Sequence, residues 1–329
     1  MTAPALDSRG NVAPGIPRRV ALVMFLCARW WAAMAQESGE AEVIFRGMAN
    51  ASAAVAIGTN QVLVADDDDN QLRLYNVIGG DPVRVFDWSG ALRTYGRQRE
   101  ADLEAAARVG DRIYWLGSHS LANDGAVRLN RRRFFATDLT NDAQGVTLRE
   151  AGTPCATLLN ALLRSPQART LGLVDAAGRA PDDGGINFEG LARRADGGLW
   201  IGVRSPLVKE DAILLPFLNP DDVLLAGAVP RFGEAVLLDL DGRGVRDLAF
   251  AGNTLYLIAG GAGEGRKSRL YRWKADEKKP KRIDISLDDF NAEAIAVFGR
   301  GASRRLLLLA DEGGASRADG TFRGRWITP

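Results

Sequence analysis

Three glutamates occur in closely similar surroundings: Glu104 in DLEAAARV, Glu189 in NFEGLARR and Glu293 in NAEAIAVF. Ser52 in NASAAVAI and Arg246 in GVRDLAFA hold the same place in two further segments. Four of the five stand just ahead of a short apolar run that begins with a small residue, and Arg246 is separated from its run by Asp247. A charged side chain at the head of such a run is costly unless it is paired or used. If the five positions converge, three carboxylates, one guanidinium and one hydroxyl face a common space. One arginine cannot neutralise three glutamates. Two readings follow: a structural ion network around Arg246, or an anionic cup that holds a hard cation such as calcium on oxygen ligands.

Two more acidic groups extend the second reading. Asp66 to Asp69 form a run of four aspartates, and Asp311-Glu312 follows the last long apolar run. Asp66 and Asp311 therefore join Glu104, Glu189 and Glu293 as candidate metal ligands, although the spacing matches no EF-hand loop. The aspartate run is equally compatible with a solvated turn. Candidate ligand-binding groups are Arg246, Arg204, Arg131 within LNRRRFF, and Ser118. Guanidinium presents a planar fork suited to phosphate or carboxylate, while alternation along an exposed strand is the plainer account of the arginine triplet. His119, the one histidine, lies between Ser118 and Ser120. Its ordinary pKa makes it the candidate acid/base group, with a hydrogen-bonded structural role as the alternative. A single histidine excludes a zinc site of the Cys/His type and leaves His119 as the one possible base of a Ser-His-Asp triad.

The elements that must position these residues read as repeats. Segments starting at Asn50, Asp102, Asn187, Gly244 and Asn291 share one grammar: a short Ala-rich strand, a turn with Gly, Asn or Asp, then a strand of aromatic and branched residues. Such turns tolerate positive φ and join hairpins. Third strands are expected in QLRLYNV, RRRFFATDL and SRLYRWKA, and outer strands in VRVFDW and VTLRE. Successive small antiparallel sheets indicate an all-β protein, a β-propeller of five blades with six as the alternative. The longest gap contains PCATLLNALLRSPQA, whose leucines predict a short helical insert near residues 154–166. The terminal FRGRWITP and the early AEVIFRG are expected to pair, the last strand completing the first blade and closing the ring. Closure would bring Asp66 to Asp69 near Asp311-Glu312. In such a ring the first strands line a central channel, so the five leading residues would meet at its mouth.

Of 329 residues, 46% are hydrophobic and 25% charged, a globular balance. Formal charge is +1, from 42 basic and 41 acidic side chains, which disfavours nucleic acid as a partner. Arg18-Arg19, the apolar VALVMFLCARWW and Ala33-Met34-Ala35 resemble a signal peptide over residues 1–35, so a single propeller domain over 36–329 is expected in the periplasm or secreted. Stable membrane insertion is not expected, because Arg29 interrupts the apolar stretch and none of similar length follows. Removal of Cys27 with that segment leaves Cys155 alone, without an intramolecular disulfide.

The elements DLEAAARVGDRIYWLGSHSLANDG with NRRRFFATDL, INFEGLARRADGGLWIGVRSPL, DLDGRGVRDLAF and NAEAIA resemble, in order, the bacterial family called domain of unknown function 3616. The resemblance runs from about Ala51 to Asp311 and implies a β-propeller, often exported, without an established activity. Glu189-Gly190-Leu191-Ala192 is also similar to an element of the phytase-like esterase propellers, which implies calcium-dependent phosphoester hydrolysis. Glu104-Ala105-Ala106-Ala107 lacks the Gly and Leu of that element. The functions to weigh are thus binding of a small polar or anionic ligand at the channel mouth, with calcium; a metal-assisted phosphoesterase using His119; and a scaffold that binds a protein partner on its rim.

Overall fold

In a computed structural model the chain is described over residues 41–94, 96, 99–261, 267–312 and 320–329. The expected signal segment, residues 1–35, lies outside the described residues. Among the described residues, twenty strands form five antiparallel sheets of four. The first blade is β2 (Ala51–Ile57), β3 (Gln61–Asp66), β4 (Gln71–Asn76) and β5 (Arg84–Asp87). The second is β6 (Leu103–Val109), β7 (Arg112–Gly117), β8 (Phe134–Asp142) and β9 (Gly145–Glu150). The third is β10 (Asn187–Arg193), β11 (Leu199–Val208), β12 (Asp211–Phe217) and β13 (Val236–Leu238), and the fourth β14 (Gly244–Ala251), β15 (Thr254–Gly260), β16 (Arg269–Trp273) and β17 (Lys281–Arg282). The fifth runs β18 (Ala292–Phe298), β19 (Arg305–Ala310), β20 (Thr321–Ile327), β1 (Glu42–Arg46). The protein is a five-bladed β-propeller.

Turn chemistry sets this repeat. Gly58, Gly110, Gly197, Gly252 and Gly299, one in each inner hairpin, adopt φ between 61° and 86°, a region that costs glycine little and other residues more. The five inner strands pack side by side around the axis, β18 against β2 included. Apolar burial is divided into layers between blades. Ala53, Leu63 and Trp115 fill the layer between the first two blades, and Leu214, Leu248 and Tyr271 that between the third and fourth.

The gap between the second and third blades holds helices at Leu158–Arg164, Pro166–Thr170 and Leu173–Ala176, not a sixth blade. Leu158, Leu159 and Leu162 are buried with Phe134, Phe188 and Phe217 in the largest layer, so the insert thickens the contact between two blades. The terminal strands pair as expected, Glu42 opposite Arg325 and Arg46 opposite Thr321. It is nevertheless the first strand that completes the last blade. β2 already heads a full sheet, whereas β20 would otherwise leave an open edge. Phe45 stacks on Phe322 at 4.9 Å, and Tyr75 meets both rings edge-on.

Candidate functional site at the channel mouth

Pairing between the first and second strands slips at a matching place in every blade, and in blade three it slips a second time, between Asn187 and Phe188, where Arg204 of the partner strand is passed over. The register skips between Ala51 and Ala53, Leu103 and Ala105, Phe188 and Gly190, Val245 and Asp247, and Ala292 and Ala294. The residues passed over are Ser52, Glu104, Glu189, Arg246 and Glu293. A bulge leaves its extra residue out of the ladder and re-aims the side chain. Five bulges at matching positions bring these side chains together around one end of the axis, and Arg246 lies within ion-pair distance of both Glu189 and Glu293.

Two positions before each bulge lies a second determinant. Asn187 donates through Nδ2 to Glu189 Oε1 at 2.7 Å, and Asn291 to Glu293 Oε1 at 3.2 Å. Blade four has Gly244 there, where a Cβ would lie 1.8 Å from the Arg204 carbonyl oxygen. Blade two has Asp102. An ionised Asp102 has no proton to donate, so blade two sets two carboxylates where blades three and five set an amide beside a carboxylate.

The mouth accordingly divides into two halves. In the paired half, Arg204 bonds Glu189 at 2.8 Å and the Gly261 carbonyl at 3.1 Å, while Arg246 bridges Glu189 at 3.4 Å to a close contact with Glu293. Burial opposes the charge on Arg246, but Glu189, Glu293 and Glu104 hold its pKa above the ordinary value. Burial moves Glu293 the other way, up to about 7, with Arg246 partly offsetting it.

In the other half, where Arg131 is the nearby cation, carboxylate oxygens of Asp67, Asp102 and Glu104 lie within 4.8 Å of one another. Asp66, Asp67 and Asp68 form a second such group, with Asp67 common to both. Asp67 Oδ1 is buried without a hydrogen-bond partner among the described residues. Arg131 reaches Asp102 Oδ2 at 3.3 Å and also donates to Ser120. Burial, then mutual repulsion, raises Asp67 and Glu104 well above the usual carboxylate range. Asp102 is raised too, by burial, against the lowering influence of Arg131 and the Ser118 hydroxyl.

The remaining candidates fall around this cup. Asp66 accepts the Asp68 amide at 2.9 Å, and burial lifts it to about 7. Asp311 is bridged to Asn50 by ring closure and adds to the repulsion on Asp67. Ser118 is fully buried and hydrogen-bonds Ser120. His119 is 1% exposed, bonded through Nδ1 to the Gly117 carbonyl, with its ring 5.4 Å from Phe188. Burial lowers its pKa to about 4, which keeps the imidazole neutral near pH 7. Arg131 sits in a short turn at Leu129–Arg131 rather than on the third strand, which begins at Phe134. Arg133 is buried and donates to the Leu92, Leu129 and Arg132 carbonyls.

Asp102 and Asp67 were not singled out from the sequence. A signal for Asp102 was present in the repeated Asn-x-Glu of blades three and five, which becomes Asp-x-Glu in blade two. Asp67 was masked by its equally acidic neighbours, and only the folded turn distinguishes it.

Residues 173–322 match DUF3616, a family of proteins of unknown function. The match spans the last three blades as far as the start of β20, including the Glu-Gly-Leu-Ala and Asn-Ala-Glu-Ala-Ile-Ala elements. No curated protein matches the chain. Among solved structures, similarity extends to a GH43 enzyme of Xanthomonas citri crystallised with xylose, at 9% identity over 89% of this chain and 91% of that one, with a TM-score of 0.47. The glutaminyl cyclase of Myxococcus xanthus aligns at 11% identity over 88% and 98%, TM-score 0.44. The aldose sugar dehydrogenase of Streptomyces coelicolor, bound to PQQ, aligns at 11% over 88% and 98%, TM-score 0.43. Among the described residues, no helix is long and apolar enough to cross a membrane.

Proposed function

We propose that the channel mouth binds a divalent cation, calcium by its oxygen-only donor set, and that the bound cation together with nearby guanidinium groups takes a small polar or anionic ligand. The observation that carries this reading is the convergence of Asp67, Asp102 and Glu104 within 4.8 Å, with Arg131 as the nearby counter-ion. Three carboxylates so close repel one another in a poorly solvated place, and a hard cation replaces repulsion with coordination. Glu189 and Glu293 are engaged by Arg204 and Arg246 and serve here as the wall of the cup, with Asp66 and Asp311 behind it. Arg131 and Arg246 each keep a buried Nε without a protein partner among the described residues, so they have donors left for a ligand oxygen. We place this activity outside the cytoplasm, on the signal-like character of residues 1–35.

Calorimetric titration of the chelator-treated protein with calcium tests the proposal. The expected result is saturable binding near one equivalent and a rise in melting temperature, both lost in Glu104→Gln and retained in Glu277→Gln, a change far from the mouth. Absence of heat and of any thermal shift in the parent protein would overturn it.

A further inference from the structure

The opposite end of the axis has different chemistry. Four residues beyond their bulges, the inner strands of blades two and three carry Arg108 and Arg193, about 13 Å from the acidic mouth at ~3.3 Å per strand residue. There the five inner strands line an open recess of about 270 Å³. The residues around it are mostly apolar, Ala54, Ala106, Leu248 and Ile295 among them, although about half of its exposed lining is polar, and no acidic residue lines it among the described residues.

Both arginines that line the recess hold their charge at its rim. Arg108 is oriented by the Ala56 and Gly110 carbonyls at 2.9 and 2.8 Å, and among the described residues the one carboxylate it reaches is Asp111, 3.7 Å away and largely exposed. Arg193 is exposed, lies 5.4 Å from the centre of the Phe250 ring and pairs with no described carboxylate. Neighbouring inner hairpins add Arg300 and Arg304 to the same end of the molecule, together with Arg194, which is paired with Asp196 at 2.8 Å. A guanidinium held over a ring beside an apolar recess remains free to meet an oxyanion. The cluster of carboxylates at the far end repels anions, so an anionic molecule is drawn to the arginine end.

We infer that this lower recess is a second binding site, for a small amphiphilic anion whose carboxylate or phosphate meets Arg108 and Arg193 while its apolar body fills the alanine-lined space. The volume equals that of about nine waters at ~30 Å³ each, which suits a body of about that many heavy atoms. Charge selects the molecule and the recess limits its length. This site is independent of the cation proposed for the mouth.

Octanoate, with octanol as its uncharged counterpart, is a suitable probe, titrated calorimetrically into the full chain in the presence of chelator so that the acidic mouth does not contribute. Saturable one-to-one binding of octanoate is expected, at least about tenfold tighter than octanol. The double variant Arg108→Gln, Arg193→Gln is expected to weaken octanoate at least about tenfold and leave octanol unchanged. Raising the salt concentration on the unmodified protein should weaken octanoate alone. This arm holds even if the variant misfolds. Equal binding of the two probes, binding that does not saturate, or no binding at all overturns the assignment. If octanoate binds while calcium does not, the mouth proposal fails and this one stands.

Discussion

Asp102 stands where three other blades carry asparagine, Asn50, Asn187 and Asn291, and an oxygen in place of an amide nitrogen decides the electrostatics of the mouth. In blades three and five the amide donates to its glutamate; in blade two the equivalent pair repels. Asp102→Asn should therefore raise the stability of the calcium-free protein by about 1 kcal/mol, measured by urea unfolding, while abolishing the thermal shift given by calcium. Loss of stability with calcium response intact would show that Asp102 serves only its ion pair with Arg131. His119 makes a separate test of burial. Its folded pKa, near 4, lies below the ordinary 6.5 of an unfolded chain, so the unfolded state binds more protons between those values. The stability due to its neutrality is full above about pH 6.5 and is lost as pH falls toward 4, by at most about 3 kcal/mol. Comparing wild type with His119→Gln in urea from pH 4.5 to 7 isolates that slope, because the mouth carboxylates are common to both proteins. At this scale the sequence aligned the five leading residues and left their relations open. Which glutamates find an arginine depends on Arg204, from the second strand of blade three, and on the angle between blades.

Hairpin glycines and alternating apolar runs made every blade legible as an element, together with the helical insert. The bulges were not legible, since an extra residue in a strand looks like any other residue until its partner strand is in place. The bulge also gives the Glu-Gly-Leu-Ala element a mechanical reading. Gly190 pairs with Gly202 in the next strand, and a Cβ on Gly202 would come within 2.4 Å of the Val245 side chain of blade four. Two bare backbones let Val245 and Leu248 press against blade three. In blade two the matching residue is Ala105, packed toward Phe188 and Leu191 of blade three, and the glycine is not required. Gly202→Ala is predicted to cost about 1–3 kcal/mol by overpacking, readable as an earlier urea midpoint, whereas Gly58→Ala meets no neighbour and should cost chiefly its positive-φ strain.

For the whole molecule, closure of the ring was expected from the terminal strands, but their order was reversed, because either end of a repeat can supply the missing outer strand and periodicity is silent on which. Removing Glu42–Arg46 should lower the melting temperature and promote aggregation detectable by light scattering, since Thr321–Ile327 would then present an open edge and Phe322 would lose its stacked partner. An unchanged melting temperature would mean that the closing strand contributes little.

The closing pair also sets a timetable. Glu42 meets Arg323 and Arg325 across a sequence separation of more than 280 residues. Contacts that distant are the slowest to form in a folding chain. During synthesis the strand carrying Val43, Ile44 and Phe45 must therefore wait, apolar and unpartnered, while four blades assemble behind it. The seam at β1 and β20 is thus the last joint to set, and the step at which a nascent chain most needs protection from its neighbours.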